Sequence, residues 1–286
     1  MKKTLLVAVS LITIMVLAAC GNRVTPALDC RDEENRPLRV GMHLIYEPFE
    51  MRDPDTNEPI GISVDIARAF GEYIGCEVEI VNVNFGSLID ALNLGDIDVI
   101  IASMSRNEQR EELIAFSEPY MYFKIIGLVN QDFADEHGIT EDSTVEDVLA
   151  IETARYVGIA GQVSYSLPLE LGIPEDRVRQ MTGPESAVAR VVQGDDDIMM
   201  MSGSPVVRNH LVNPDTTMVL WDAFDSSPIA IGMRHGEDEL RDLANEFIAA
   251  MDEPGGLNDQ LREDWDDAIR AILSRFGIDF FLYDED

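Results

Sequence analysis

Two stretches of this chain alternate between short apolar runs and segments with apolar residues every fourth position, and nothing else constrains the fold as strongly. The first stretch runs "LRVGM" (38–42), "SVDIARAFGEYIG" (63–75), "EVEIVNV" (77–83), "SLIDALNLG" (87–95) and "IDVIIAS" (97–103). Ile66, Phe70 and Ile74 recur at helical spacing, so 63–75 is expected to be a helix. Ser63 suits its N-cap, Asp65 the positive end of its dipole and Gly75 its stop. The continuous apolar run of 97–103 requires a strand covered on both faces, which is the pattern of a parallel sheet between helices. The second stretch repeats the alternation with "RYVGIA" (155–160), "PESAVARVVQG" (184–194) and "DIMMM" (197–201). From Pro228 onward another strand is followed by long amphipathic helices. Two α/β units in one chain imply two lobes, with the polar segment 134–150 opening the second. No internal repeat is evident between the two stretches.

Charge narrows the partners. The chain has 286 residues, 46% of them hydrophobic, enough to bury a sizeable core. It carries 54 acidic against 21 basic residues, a formal net charge of -33. Nucleic acid and anionic lipid surfaces would be repelled by such a chain and are not expected partners. Only Lys2, Lys3 and Lys124 are lysines, so eighteen of the basic residues are arginines. A carboxylate-rich surface whose self-repulsion is screened by salt fits a halophilic source. A genome biased toward arginine codons is the other explanation.

The first twenty residues, "MKKTLLVAVSLITIMVLAAC", have a basic start, an apolar run through Leu17 and small residues before Cys20. This is the layout of a secretory signal, and the run is short for a bilayer span of ~20 residues. Leu17-Ala18-Ala19-Cys20 followed by Gly21 resembles the bacterial lipobox, which implies cleavage before a lipid-modified Cys20. A signal peptide is therefore expected over 1–19 and a lipidated tether over 20–37, leaving the protein extracytoplasmic and membrane-anchored through lipid. Cys30 and Cys76 precede the first two strands of the first unit. Parallel strands start at the same sheet edge, so the two are expected to meet as a disulfide in an oxidising compartment. Two buried free thiols are the alternative.

The order "LRVGMHLIYEPFEMRDPDTNEPIGISVDIARAFGEYIG", then "FGSLIDALNLGDIDVIIASMSRNEQREELIAFSEPYMYF", resembles the solute-binding proteins, family 3, of polar amino-acid ABC importers. The resemblance runs from about residue 38 to 270. It implies an α/β, periplasmic-binding-protein-like fold of two lobes joined by two crossing strands. Lobe 1 would span 38–124 and lobe 2 would span 125–225, with 226–286 returning to lobe 1. The crossings would lie near Tyr122–Ile125 and Asp225–Pro228, and solute would bind in the cleft as the lobes close. The expected partners are a small carboxylated solute and an ABC permease, with the chain itself a monomer.

In that family the arginine matching Arg110, in "SMSRNEQR", clamps the solute's carboxylate. The residue type suits the task, because a guanidinium offers two parallel donors to a carboxylate. Helix-start amides would favour the same anion, with Asn107 as the cap. Without that context Arg110 would be read as pairing with Glu111 or Glu118 on a solvated face. The resemblance further places Ser105 and Ser103 beside the solute, and Tyr46 and Phe85 as aromatic walls. In "GIAGQVSYS", Gly161 would let backbone approach and the amide of Val163 would reach the carboxylate.

Departures from the family pattern sharpen the expectation. Ile62 and Ser63 stand at the aromatic and first acidic positions of the signature matched by "GISVDI". Ser202, or Gly203, stands where an aspartate pairs with the solute's ammonium, and His43 where another acid is common. Asp195 and Asp196 are expected to be solvated, and Met199–Met201 to be core. The solute's cation would then need a delocalised or alkylated form held against Tyr46 and Phe85, or an acid from elsewhere in the cleft. The best solute is therefore expected to be a carboxylate whose cation is shielded or absent, with ordinary α-amino acids bound weakly. A compatible solute of the ectoine or betaine kind is one alternative to an amino acid. A cyclohexadienyl-dehydratase-like enzyme on the same fold is another, but no nucleophile, phosphate loop, metal-ligand spacing or cofactor motif accompanies these residues.

The charge balance makes a direct prediction. Without Lys2 and Lys3 the net charge falls to -35, so the unfolding temperature should rise substantially between dilute buffer and molar chloride as self-repulsion is screened. Calorimetry in chloride and in sulfate checks this, and a flat response in both would assign the composition to codon usage.

Overall fold

In the computed structural model the described residues are 27–31, 36–273 and 276–283. The signal segment, Cys20 and the first part of the tether lie outside them. In lobe 1 the order is β1 (Leu38–Met42), a small hairpin of β2 (Met51–Arg52) and β3 (Pro59–Ile60), α1 (Ile62–Ile74), β4 (Val78–Asn82), α2 (Leu88–Leu94), β5 (Val99–Ile100) and the single turn α3 (Glu108–Glu111). The long β6 (Ala115–Asn130) leads into α4 (Gln131–His137), α5 (Val145–Leu149), β7 (Tyr156–Ile159), α6 (Val163–Glu170), β8 (Val178–Met181), α7 (Pro184–Val192), β9 (Ile198–Ser202) and α8 (Gly203–Val212). The equally long β10 (Thr217–Met233) returns to α9 (Asp238–Met251), α10 (Leu257–Leu273) and α11 (Asp279–Leu282).

The strands form one sheet in the order β4-β1-β5-β10-β6-β9-β7-β8. β4, β1 and β5 are parallel at one end, and β9, β7 and β8 are parallel at the other. Antiparallel β6 and β10 run through both ends. Their first half and last half, respectively, belong to lobe 1, and the remaining halves to lobe 2. Between the halves Ile125, Lys124, Phe123 and Tyr122 pair with Asp225, Ser226, Ser227 and Pro228.

Alternation along the strands sorts side chains between two apolar layers, as period-2 geometry demands. Val157, Ile159 and Met199 join the cluster that also contains the lobe 1 core, whereas Tyr156, Ile198 and Met200 pack on the opposite face with Phe133, Val148 and Leu167. α1 ends at Gly75 in the left-handed conformation, which glycine adopts at little cost. Its N-cap, however, is Gly61 rather than Ser63, which lies inside the helix.

Two further expectations need correction. A described part of the tether belongs to the fold: Ala27–Arg31 forms a 3-10 turn, and Ala27 and Cys30 are buried in the lobe 1 core. Cys30 and Cys76 are joined as a disulfide with 5.6 Å between their Cα atoms, which anchors that turn to the end of α1. The two lobes also share a structural repeat that sequence comparison misses. At the foot of the lobe 1 sheet, Asp98 accepts from the Arg39 amide at 2.9 Å, from its Nε at 3.1 Å and from its NH2 at 2.9 Å, while Arg39 NH1 donates to the Asp96 carbonyl. In lobe 2, Asp197 accepts from the Arg155 amide at 2.8 Å, Nε at 3.0 Å and NH2 at 2.5 Å, with NH1 on the Asp195 carbonyl. Each aspartate follows a left-handed glycine by three residues, Gly95 or Gly194.

Asp98 is fully buried and also receives Arg36 at 2.8 Å, with Arg234 at 3.8 Å. Burial pushes its carboxyl up, but hydrogen bonds from Arg39 and Arg36 outweigh that and hold it below the usual range. Its stabilising effect is therefore present above the ordinary aspartate pKa and lost as pH falls through the lowered one. Asp98→Asn should cost about 3–5 kcal/mol in urea unfolding at pH 7, because the fully buried carboxylate that Arg36 and Arg39 share is lost, while Arg234 keeps Glu237 at 2.6 Å. Asp197→Asn should cost clearly less, since Arg155 is 49% exposed and can be hydrated.

Candidate ligand-binding site

The loop after β1 builds one wall. Tyr46 and Glu50 bridge back to back, with the Tyr46 amide donating to Glu50 at 2.8 Å and the Glu50 amide donating to the Tyr46 carbonyl at 2.9 Å. Phe49 between them is buried against Phe123 and Phe281. The start of α1 is docked onto this loop, the Ser63 amide donating to the Phe49 carbonyl at 2.8 Å. Gly61 makes this approach feasible: its φ is 127°, and a Cβ there would fall 2.3 Å from the Phe49 carbonyl oxygen. Ser63 uses its hydroxyl on Glu50 at 2.7 Å instead of capping the helix. An acid here, as in the family signature, would set two carboxyl groups face to face.

Residues 103–111 build the floor. Ser103 adopts φ 52°, an uncommon conformation for a non-glycine residue, and its hydroxyl donates to Glu50 Oε2 at 2.8 Å. Ser105 bridges to Ile229 on β10, and its hydroxyl meets that of Ser227 at 2.7 Å. Its carbonyl accepts from Arg110 NH1 at 2.7 Å. Asn107 caps α3 by accepting from the Arg110 amide at 2.9 Å. Helix-start amides offer less to an anion than expected, because α3 is one turn long and this amide is already bonded.

Arg110 is half-buried, and its guanidinium carbon lies 5.5 Å from the centre of the Phe85 ring. Burial alone lowers its pKa from the usual arginine value. Among the described residues it has no carboxylate within salt-bridge distance. The acids that a solvated-face reading would give it belong to Arg106, at 2.6 Å from Glu111 and 3.8 Å from Glu118.

Lobe 2 contributes the opposite side. Gly161 turns between β7 and α6 at φ 73°, and Val163 is the first residue of α6. The Val163 side chain packs on the lobe 2 core, so its backbone amide is what it can offer a solute. Ser202 ends β9, and its hydroxyl lies 3.0 Å from that of Tyr46. Burial is the main cause raising the Tyr46 phenol well above its usual pKa, which Ser202 opposes and Glu50 reinforces. Ser204 and Arg208 donate to the Glu47 carbonyl at 3.4 Å and 3.3 Å. The structure thus brings Tyr46 to Ser202, and Ser103, Ser105, Arg110 and Phe85 to one rim of lobe 1. No hydrogen bond joins Gly161 or Val163 to that rim among the described residues.

Sequence reasoning missed Glu50, Ser63, Tyr120 and Ser227. Glu50 left one trace, an acid between apolar Phe49 and Met51 in a segment otherwise read as wall. Asp196 was also misjudged as solvated. It is 2% exposed and bonded by Arg179 and Arg190, which offset its burial.

Two α/β lobes joined by two long antiparallel strands make a periplasmic-binding-protein-like fold. The chain belongs to the bacterial extracellular solute-binding proteins, family 3, whose profile matches residues 38–267. It is 30% identical over 120 residues to the arginine-binding extracellular protein ArtP of Bacillus subtilis (strain 168), covering 42% of this chain and 45% of that protein. It is 24% identical over 233 residues to the L-cystine-binding protein TcyJ of Escherichia coli (strain K12), covering 82% of this chain and 84% of that one. The fold is similar, with a TM-score of 0.63, to that of an ancestral amino acid-binding protein described as a precursor of cyclohexadienyl dehydratase. That alignment covers 84% of this chain and 99% of the ancestral one at 24% identity, and it speaks for the fold alone.

The Tyr46–Ser202 bond generates a prediction of its own. Ser202→Ala leaves a buried phenol without a partner and should lower stability by about 1–3 kcal/mol in urea unfolding. Ser202→Thr, which keeps the hydroxyl, should lose much less.

Proposed function

We propose that the protein captures a small carboxylated solute, an amino acid or an amino-acid-like zwitterion, and delivers it to an ABC permease. The observation that carries this reading is Arg110: a half-buried guanidinium stacked on Phe85, oriented by the Ser105 carbonyl and lacking a carboxylate partner. A planar donor fork held in this way matches a carboxylate with two hydrogen bonds. Tyr46 and Phe85 would enclose the solute, Ser103 and Ser105 would supply polar contacts, and the Val163 amide beside Gly161 would reach it from lobe 2. A solute touching both lobes stabilises the closed form, and bending at β6 and β10 opens it. The named ligands of the similar proteins, arginine and cystine, support an amino-acid class. The N-terminal signal and Cys20 support a lipid-anchored extracytoplasmic protein.

Capture without turnover is the reading that the named relatives support, because ArtP and TcyJ are binding proteins. Arg110→Ala should weaken binding of the solute by roughly 2–5 kcal/mol, since a buried carboxylate would lose its partner. The ligand is first found by thermal shift, where 100 times the dissociation constant adds about 2.7 kcal/mol of stability. Calorimetry showing unchanged affinity in a folded Arg110→Ala protein would overturn the reading.

A further inference from the structure

The site holds a second charge-bearing group that the carboxylate clamp does not use. Glu50 is 2% exposed, and only the hydroxyls of Ser63 and Ser103 donate to it, both to Oε2. Its Oε1 has no hydrogen-bond partner among the described residues. Beside it lies Tyr120, 4% exposed, whose buried phenol is directed at the Ser103 backbone and the Ser63 hydroxyl without a well-formed hydrogen bond to either. The groups facing Glu50 are Ser63 from α1, Ser103 from the floor, Tyr120 from β6 and Tyr46 from its own loop. None is cationic. Arg208 on α8 faces Tyr46 and pairs with Glu47 at 3.6 Å.

Glu50 and Arg110 thus each lack an oppositely charged partner among the described residues. Ser103 ties Glu50 to the segment that ends in Arg110, so the two charges sit on one framework yet do not pair with each other. A ligand carrying both signs would satisfy both. The acid that the family pattern places at Ser202 is missing, and the Ser202 hydroxyl is held by Tyr46.

We infer that Glu50 is the counter-charge for the cationic nitrogen of the bound solute, and that it selects a nitrogen still carrying N–H bonds, such as a primary ammonium, an amidinium or a guanidinium. The inference rests on the solute-binding reading above and deepens it. A hydrogen-bonding cation can donate to Glu50 Oε1, whereas a trimethylated nitrogen has no proton to give and would leave that oxygen unsatisfied.

Proton linkage follows. Burial, opposed by the two serine hydroxyls, raises the Glu50 carboxyl to about 8. It is therefore mostly neutral at pH 7, and a cation at Oε1 would drive its proton into the buffer. Affinity should rise with pH up to tenfold per unit toward about 8 and level off above it, because only the free form must lose a proton there.

The test begins with thermal shift over the twenty amino acids, L-cystine, ectoine, glycine betaine and succinate. The tightest ligand bearing N–H groups then goes to calorimetry at pH 6, 7 and 8, in phosphate and in Tris, whose ionisation heats differ. We expect close to one proton released per ligand at pH 7 and the affinity rise described. Glu50→Gln should bind about 30-fold or more weakly at pH 8, release no proton and lose the pH dependence. Should that variant misfold, proton release by the natural protein decides. Glycine betaine or succinate ranking above every N–H-bearing compound would overturn the inference. Binding without proton release, unaffected by Glu50→Gln but abolished by Arg110→Ala, would also overturn it while leaving the solute-binding reading in place.

Discussion

The ladder between β6 and β10 is the constraint on which the other features depend. These two strands are the covalent links between the lobes, and their backbone bonds continue through the crossing, from Ile125–Asp225 to Tyr122–Pro228. Register shifts lie on both sides of that stretch, between Leu220 and Asp225 and between Ile229 and Gly232. Irregular pairs concentrate twist and bending, so the crossing is a short regular ladder bounded by points that can give. The site is attached to this ladder. Ser105 bridges to Ile229 and meets Ser227, and Ser202 pairs with Ile125. Any rotation of the lobes therefore moves Ser105 and Ser202 relative to one another.

Charge is organised around the same architecture. With 54 acidic and 21 basic residues, most carboxylates have no cation available, and the arginines are placed where carboxylates are buried. Asp98 takes Arg36 and Arg39, Asp197 takes Arg155, and Asp196 takes Arg179 and Arg190. These pairs fix the sheet edge of each lobe where β1 and β7 begin. Buried aspartates at those points would otherwise face a large desolvation cost. Against this pattern Arg110 and Glu50 stand out as ionisable groups without an oppositely charged partner among the described residues.

Local chemistry made part of this readable from residues alone. Helical spacing, the Gly75 stop, the Asn107 cap and the apolar strands depend on neighbours within a turn or two, so they leave periodic or positional marks. Arg110 drew attention because the segment "SMSRNEQR" carries a whole motif within eight residues, and its lack of a carboxylate partner became visible only in three dimensions. The cysteine pair followed from strand order, since two parallel strands starting at one edge bring their preceding residues together. What the tertiary structure decided are contacts across long separations: Glu50 with Ser103, Tyr46 with Ser202, and Asp98 with three arginines from different parts of the chain. The same cause hid the lobe repeat, whose shared element is one Arg–Asp geometry closed between residues 59 positions apart in lobe 1 and 42 in lobe 2. Ser63 shows the two levels in competition. Its position suited a helix cap, but Gly61 could come closer to the Phe49 carbonyl than any residue with a Cβ, so the helix began earlier and the serine hydroxyl turned to Glu50. Pairings of this kind depend on how the chain closes in space, and neither partner's sequence neighbours carry a record of the other.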